Sequence, residues 1–336
     1  MRLRLLVLAL GTFAIGTGSF VFAGLLEGVA GDLSVSVGTA GNLVTVFAVT
    51  YAATSPVLVT LAGGVAPRKI LVAAMAVFAL ANAAAVFAPT FLDHRHLRGL
   101  AMTFVMVAAL GAAAMLGVRA LPSVEAPPMV GFRERLDALR QPPVLAALGL
   151  TTLGLMGGFV VFNYVSPLLA EITAFGGAGV SGLLFLFGIA ALLGNWLGGY
   201  GADHVGYARL MAAILVLLSL SLLGFSLLVP LSGTAFAVPG TLVVLALWGV
   251  AGFALNPLQQ YRVAGLAPST RNVALSLNAS AIYLGQGAGA GLGALVLGAG
   301  SLGTLGWTGS LCALAALVLL LLTTRTQKRP EVAPEG

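Results

Sequence analysis

Ten blocks of about 20 apolar residues, parted by short polar or glycine-bearing breaks, make up almost the whole chain. They run from Leu5 to Leu26, Asn42 to Leu61, Ile70 to Phe91, Leu100 to Leu121, Val144 to Leu169, Val180 to Gly198, Leu210 to Val229, Thr241 to Tyr261, Val273 to Leu297 and Leu305 to Leu322. A helix of about 20 residues crosses a hydrocarbon core of roughly 30 Å. Lipid also forces backbone groups to pair within each segment. The pattern therefore predicts an all-α integral membrane protein with ten transmembrane helices. The first block resembles a secretory signal, with Arg2 and Arg4 ahead of it and small residues near Val21-Phe22-Ala23. Nine further spans and the length of its apolar stretch favour an uncleaved first helix instead.

Composition agrees with this class. Hydrophobic residues are 59% of the 336 and charged residues 8%, and mean hydropathy is +1.06. A soluble domain carries about 25% charged residues, so this chain lacks the polar surface water would require. Its partner is the lipid bilayer. A net charge of +6 fits nucleic acid in principle, but the bases sit at block ends, where anchoring at a membrane face accounts for them. With the N-terminus inside, fourteen of the 16 basic residues fall on the cytoplasmic side and only Arg95 and Arg98 outside. Both termini are thus expected in the cytoplasm.

The one long polar connection, Pro122 to Pro143, places Phe132, Leu136 and Leu139 on one helical face among charged neighbours. A short amphipathic helix along the cytoplasmic surface is expected there. The chain then divides into a four-span bundle at 1–121, a linker at 122–143, a six-span bundle at 144–324 and a disordered tail at 325–336.

Chemistry concentrates in a few places. Gly199, Asp203, Gly206 and Arg209 form a G-x-x-x-D-x-x-G-x-x-R loop between two spans. It reads either as a glycine-capped polar turn or as a conformational motif linking helix ends by charge and dipole contacts. Asn163, Tyr164, Asn195, Asn256, Asn278, Tyr283 and Gln286 lie inside spans. They could line a cavity for a mostly apolar solute or hydrogen-bond between helices. Asn256-Pro257 is expected to bend or end the eighth span. Gly285, Gly289 and Gly293 make a small-residue packing stripe, with Gly287 and Gly291 on an adjacent face. Glu27, at the outer end of the first span, is the candidate for proton coupling, against a reading as a solvated interfacial glutamate. His94, His96 and His204 fall in loops without a ligand set, so no metal is expected. Without a P-loop or dinucleotide fingerprint, no cofactor and no enzymatic activity are expected. Cys312 stands alone in an apolar run.

Several stretches together resemble the major facilitator superfamily, in its bacterial drug and sugar efflux (arabinose-efflux-permease-like) branch. They are Leu8 to Thr17 with Ala23-Gly24-Leu25-Leu26, Phe162 to Leu169, the Gly199 to Arg209 loop, and Asn278 to Gln286. The resemblance covers Leu8 to Phe91 and about Gly99 to Leu322. It implies two six-helix halves, secondary active efflux of small organic solutes such as drugs or sugars by alternating access, antiport with protons, and a bacterial inner membrane. Its first-half loop motif survives only as Gly64, Arg68 and Lys69, without the aspartate. The fourth and fifth family helices have no counterpart, and Leu92 to Arg98 stands in their place. A natural ten-span variant, an internal deletion and a reading error all produce this pattern. So does the alternative function, a degenerate member of the family that no longer transports.

Overall fold

A computed structural model of the 336-residue chain describes residues 11, 30–31, 34–61, 65–86, 98–120, 141–268 and 270–326. Among these residues every regular element is helical: α1 (Val37–Leu61), α2 (Pro67–Val86), α3 (Arg98–Arg119), α4 (Pro142–Phe162), α5 (Val165–Thr173), α6 (Gly177–His204), α7 (Tyr207–Leu228), a 3-10 turn (Val229–Leu231), α8 (Ala237–Leu266), α9 (Arg271–Ala299) and α10 (Gly303–Thr326). The first predicted span apart from Gly11, together with Glu27, Gly64, the segment 92–97, nearly all of the linker and the last ten residues, lies outside the described set. Seven described helices are long and apolar enough to cross a membrane. The ten-span count is therefore not reached among the described residues, although α1 and α3 coincide with two more of the predicted blocks.

The chain divides into two compact units. One holds residues 1–22 and 59–130, and the other 23–58 and 131–336. In the first, α2 packs along α3, and Gly111 admits the ring of Phe78 so closely that a Cβ would stand 3.1 Å from it. In the second, α6 packs on α8, α4 on α9 and α10, and α7 on α10. Lipid is as apolar as leucine, so this packing draws on dispersion and on small residues that let backbones approach. A Cβ at Gly285 would meet the Thr152 carbonyl oxygen at 2.6 Å, and one at Gly289 the Met156 carbonyl oxygen at 2.7 Å. The glycine stripe on α9 is thus the face that α4 occupies.

Three local details depart from the sequence reading. The predicted fifth span is two helices, because the ring of Pro167 would clash with the carbonyl of Asn163 in a continuous one. The chain breaks at Asn163 and Tyr164 and resumes at Val165. Of the two outcomes expected at Asn256-Pro257, a bend or an end, the end is excluded, since α8 runs through Pro257 to Leu266. Finally, the motif between the sixth and seventh spans is mostly helix. Gly199 to His204 belong to α6 and Tyr207 opens α7, which leaves a two-residue turn. Gly206 makes that turn with φ +87°, a conformation that side-chain-bearing residues rarely adopt.

Candidate functional site

At the end of the second unit where α4, α7 and α9 begin, four helices share a buried polar network. Gln259 of α8 is wholly buried. Its amide nitrogen donates to the Thr151 hydroxyl at 2.7 Å and to the Ala147 carbonyl at 2.8 Å, both on α4. Thr151 donates to Oδ1 of Asn278 on α9 at 2.7 Å. The Tyr207 hydroxyl of α7 donates to Oε1 of Gln259 at 2.6 Å and accepts from Arg262 Nη1 at 3.0 Å. The Arg262 guanidinium also stands 4.7 Å from the centre of the Tyr207 ring, a cation–π contact. Unpaired polar groups are costly in this environment, and here each member has a partner. The network fixes the relative positions of α4, α7, α8 and α9.

Toward the other end, α1 lies against α9. Tyr51 and Tyr283 stack with ring centroids 3.5 Å apart and planes at 29°, and Phe47 meets Tyr283 edge-on at 6.2 Å. Thr45 Oγ1 donates to the Gly287 carbonyl at 3.3 Å. A Cβ at Gly287 would reach Cβ of Ala48 at 2.6 Å, so the second glycine face of α9 is the seat of α1. Within the bundle, the rings of Phe162, Phe187 and Phe225 surround Trp248, with Phe187 at 4.6 Å.

The predicted residues are dispersed over this framework. Asn278 is held by Thr151 in the polar network. Asn163 is buried, and its amide nitrogen donates to the Phe159 carbonyl of its own helix at 2.6 Å. Tyr164 is fully buried, with its hydroxyl on the Ala290 carbonyl at 3.0 Å. Asn256 accepts from Gln260 one turn on at 3.2 Å. Asn195 is exposed on α6, while Tyr283 of α9 stacks on Tyr51 of α1. Gln286 is only 6% exposed and has no hydrogen-bond partner among the described residues.

Asp203 stands on the last turn of α6 and Arg209, exposed, on the first turn of α7. The dipole of each residue's own helix opposes its charge at those positions. A favourable dipole contact must therefore come from a neighbouring helix. In the first unit, Arg68 Nη2 donates to the carbonyl of Arg119, the last residue of α3, where a cation complements the helix end. Sequence reasoning missed Gln259, Arg262, Tyr207 and Thr151. The one available signal was Gln259 and Arg262 three residues apart near the end of an apolar run, hence on one helical face. Among the described residues no group of His, Cys, Asp and Glu is gathered as a metal centre.

A scan against protein-family models finds none that matches. The inner membrane transport protein YdhP of Escherichia coli (strain K12) is 30% identical over 390 aligned positions, which cover 97% of each chain. The MFS-type transporter YbcL of Bacillus subtilis (strain 168) is 27% identical over 383, again covering 97% of each.

The chain belongs to the major facilitator superfamily.

Another relative is a chloramphenicol resistance protein of Streptomyces lividans, 29% identical with 95% of each chain covered. The fold matches the crystal structure of the nucleoside transporter NupG at a TM-score of 0.69, over 95% of this chain and 99% of that one, at 13% identity. Facilitator relatives of this kind are transporters, and this chain is a multi-pass membrane protein like them. Its length sets it apart. An alignment of 383 positions holds at most the 336 residues of this chain, so at least 47 positions of that relative face a gap. Two membrane crossings with short connections need about that many residues.

Proposed function

We propose that this facilitator exports small neutral or lipophilic organic solutes across a bacterial inner membrane by alternating access, with both termini in the cytoplasm. The observation that carries the reading is kinship with membrane transport proteins along 97% of the chain. A resistance protein among those relatives favours efflux and a drug-like solute. The polar side chains proposed to face the solute are neutral amides and a phenol, which orient an apolar solute without demanding a counter-charge. Gln286, Asn163, Asn256 and Tyr283 are the side chains proposed to meet it, with Asn195 on the exposed face of α6 and Asn278 and Tyr164 supporting from the packed regions. Gly199, Asp203, Gly206, Arg209 and Arg68 are proposed to set the balance between conformations, and Glu27 to exchange a proton during antiport.

Purified full-length chain in proteoliposomes, loaded with labelled chloramphenicol as a neutral probe and given an imposed proton gradient, tests this reading. Flux above protein-free vesicles that collapses with the gradient is the expected result. The gap of at least 47 positions favours a second reading, a member of the family that folds and inserts but moves nothing. Gradient-independent leak equal to the control, across neutral and charged probes alike, would establish that reading.

A further inference from the structure

At the end of the second unit where α9 finishes, three helices converge on one side chain. Tyr164 stands in the break between α4 and α5, and its hydroxyl donates to the Ala290 carbonyl of α9 at 3.0 Å. Its ring fills a slot that two glycines leave open. A Cβ at Gly293 would be 3.0 Å from the ring edge at Cδ2, and one at Gly41 of α1 would be 2.9 Å from Cζ. Any side chain at either position expels the ring.

Beside the slot lies a cavity of about 500 Å³. Its lining includes Asn42 and Ala294, next in the chain to Gly41 and Gly293, and Pro167 of α5, three residues on from Tyr164. On the far side of the ring the cavity gives way to close packing of α1 on α9, through Thr45, Ala48 and Gly287. Along both α1 and α9, the fully buried Tyr164 ring meets the chain between the residues that line the cavity and those of the packed seam. It is also mounted where the helical ladder is interrupted, so the ring can swing without unwinding a helix.

We propose that Tyr164 is the latch of this seam. It closes the end of the protein opposite the N-terminal side, and a solute passes when its hydroxyl leaves Ala290 and its ring leaves the Gly41–Gly293 slot. The proposal rests on the transporter reading above. Tyr164 acts as a positioning residue, since its effect runs through the approach of α1 to α9.

The test uses the full chain in sided membrane vesicles, with Thr45→Cys as probe in a Cys312→Ser background and an impermeant maleimide added to one face at a time. Thr45 is half-buried just beyond the ring. Tyr164→Phe keeps the ring and loses one hydrogen bond. Labelling from the face opposite the N-terminus should rise by about two- to tenfold, the weight of one such bond. Gly41→Ala should raise it further. The native Cys312, buried in α10, reports general loosening in a second chain without the Thr45 substitution. An unchanged rate at Thr45→Cys in Tyr164→Phe, or a matching rise at Cys312, overturns the latch. Flux of the unsubstituted chain is measured separately: flux without a labelling change defeats the latch alone, and a labelling change without flux defeats only the transport reading.

Discussion

Gln259 and Thr151 stand 108 positions apart in the chain, yet the amide nitrogen of one lies 2.7 Å from the hydroxyl oxygen of the other. That bond is the centre of the network that ties α4, α7, α8 and α9 together. Truncating the amide in Gln259→Ala removes three hydrogen bonds at once, those with the Tyr207 hydroxyl, the Thr151 hydroxyl and the Ala147 carbonyl. The expected cost is about 1–3 kcal/mol, read as a fall in thermal unfolding temperature followed by tryptophan fluorescence in detergent. Combining it with Thr151→Val should cost less than the two single changes added, because both remove the same bond.

Gln286→Leu should act in the opposite sense on stability. The buried amide has no described partner, so replacing it with an apolar group of similar size leaves the melting temperature unchanged or raises it. Flux of a hydrogen-bonding solute should fall in the same variant. A drop in both quantities would show that the amide is satisfied in the folded protein and contributes to its packing.

At Gly285 and Gly289 the face of α9 that meets α4 has no room for a side chain. Gly289→Val places atoms against the Met156 carbonyl and the Phe159 side chain. Overpacking of this kind costs about 1–3 kcal/mol or more. Monodisperse yield after detergent extraction should collapse. Gly188→Val on α6, where nothing lies within 4 Å of the added carbon, should leave yield at the level of the unsubstituted chain.

Asp203→Asn should lower flux while leaving insertion and yield unchanged. Residue 203 belongs to the last turn of α6, where a helix dipole disfavours an acid, so removing the charge should not weaken α6. Equal initial rates for the two proteins at matched vesicle content would remove Asp203 from the conformational motif.

The seven long apolar helices were legible because their signal is length and apolarity. The family was legible in scattered stretches such as Phe162 to Leu169 and the Gly199 to Arg209 motif, and relatives covering nearly the whole chain bear it out. The α9 stripe could be read because glycine at four-residue spacing has few other uses in lipid. The break at Tyr164 escaped because hydropathy continues through Ser166-Pro167 without a dip, although the proline carried the steric information. Helix in Gly199 to His204 was hidden by its glycines, which break helices in water but are common in membrane ones. The Gln259 network was illegible for another reason. Its members come from four separate spans, and a polar residue near a span end reads singly as a solvated one. Only tertiary structure reveals that Arg262 turns inward onto Tyr207.

Only Val205 and Gly206 join α6 to α7. Three virtual bonds hold the Cα atoms of His204 and Tyr207 within about 11 Å of each other, which leaves the connection no slack to absorb relative sliding. A tilt of α6 therefore carries the start of α7 with it. Force applied at Asp203 or Arg209 is then transmitted to two membrane crossings together, so a charge change at so short an elbow has long mechanical reach.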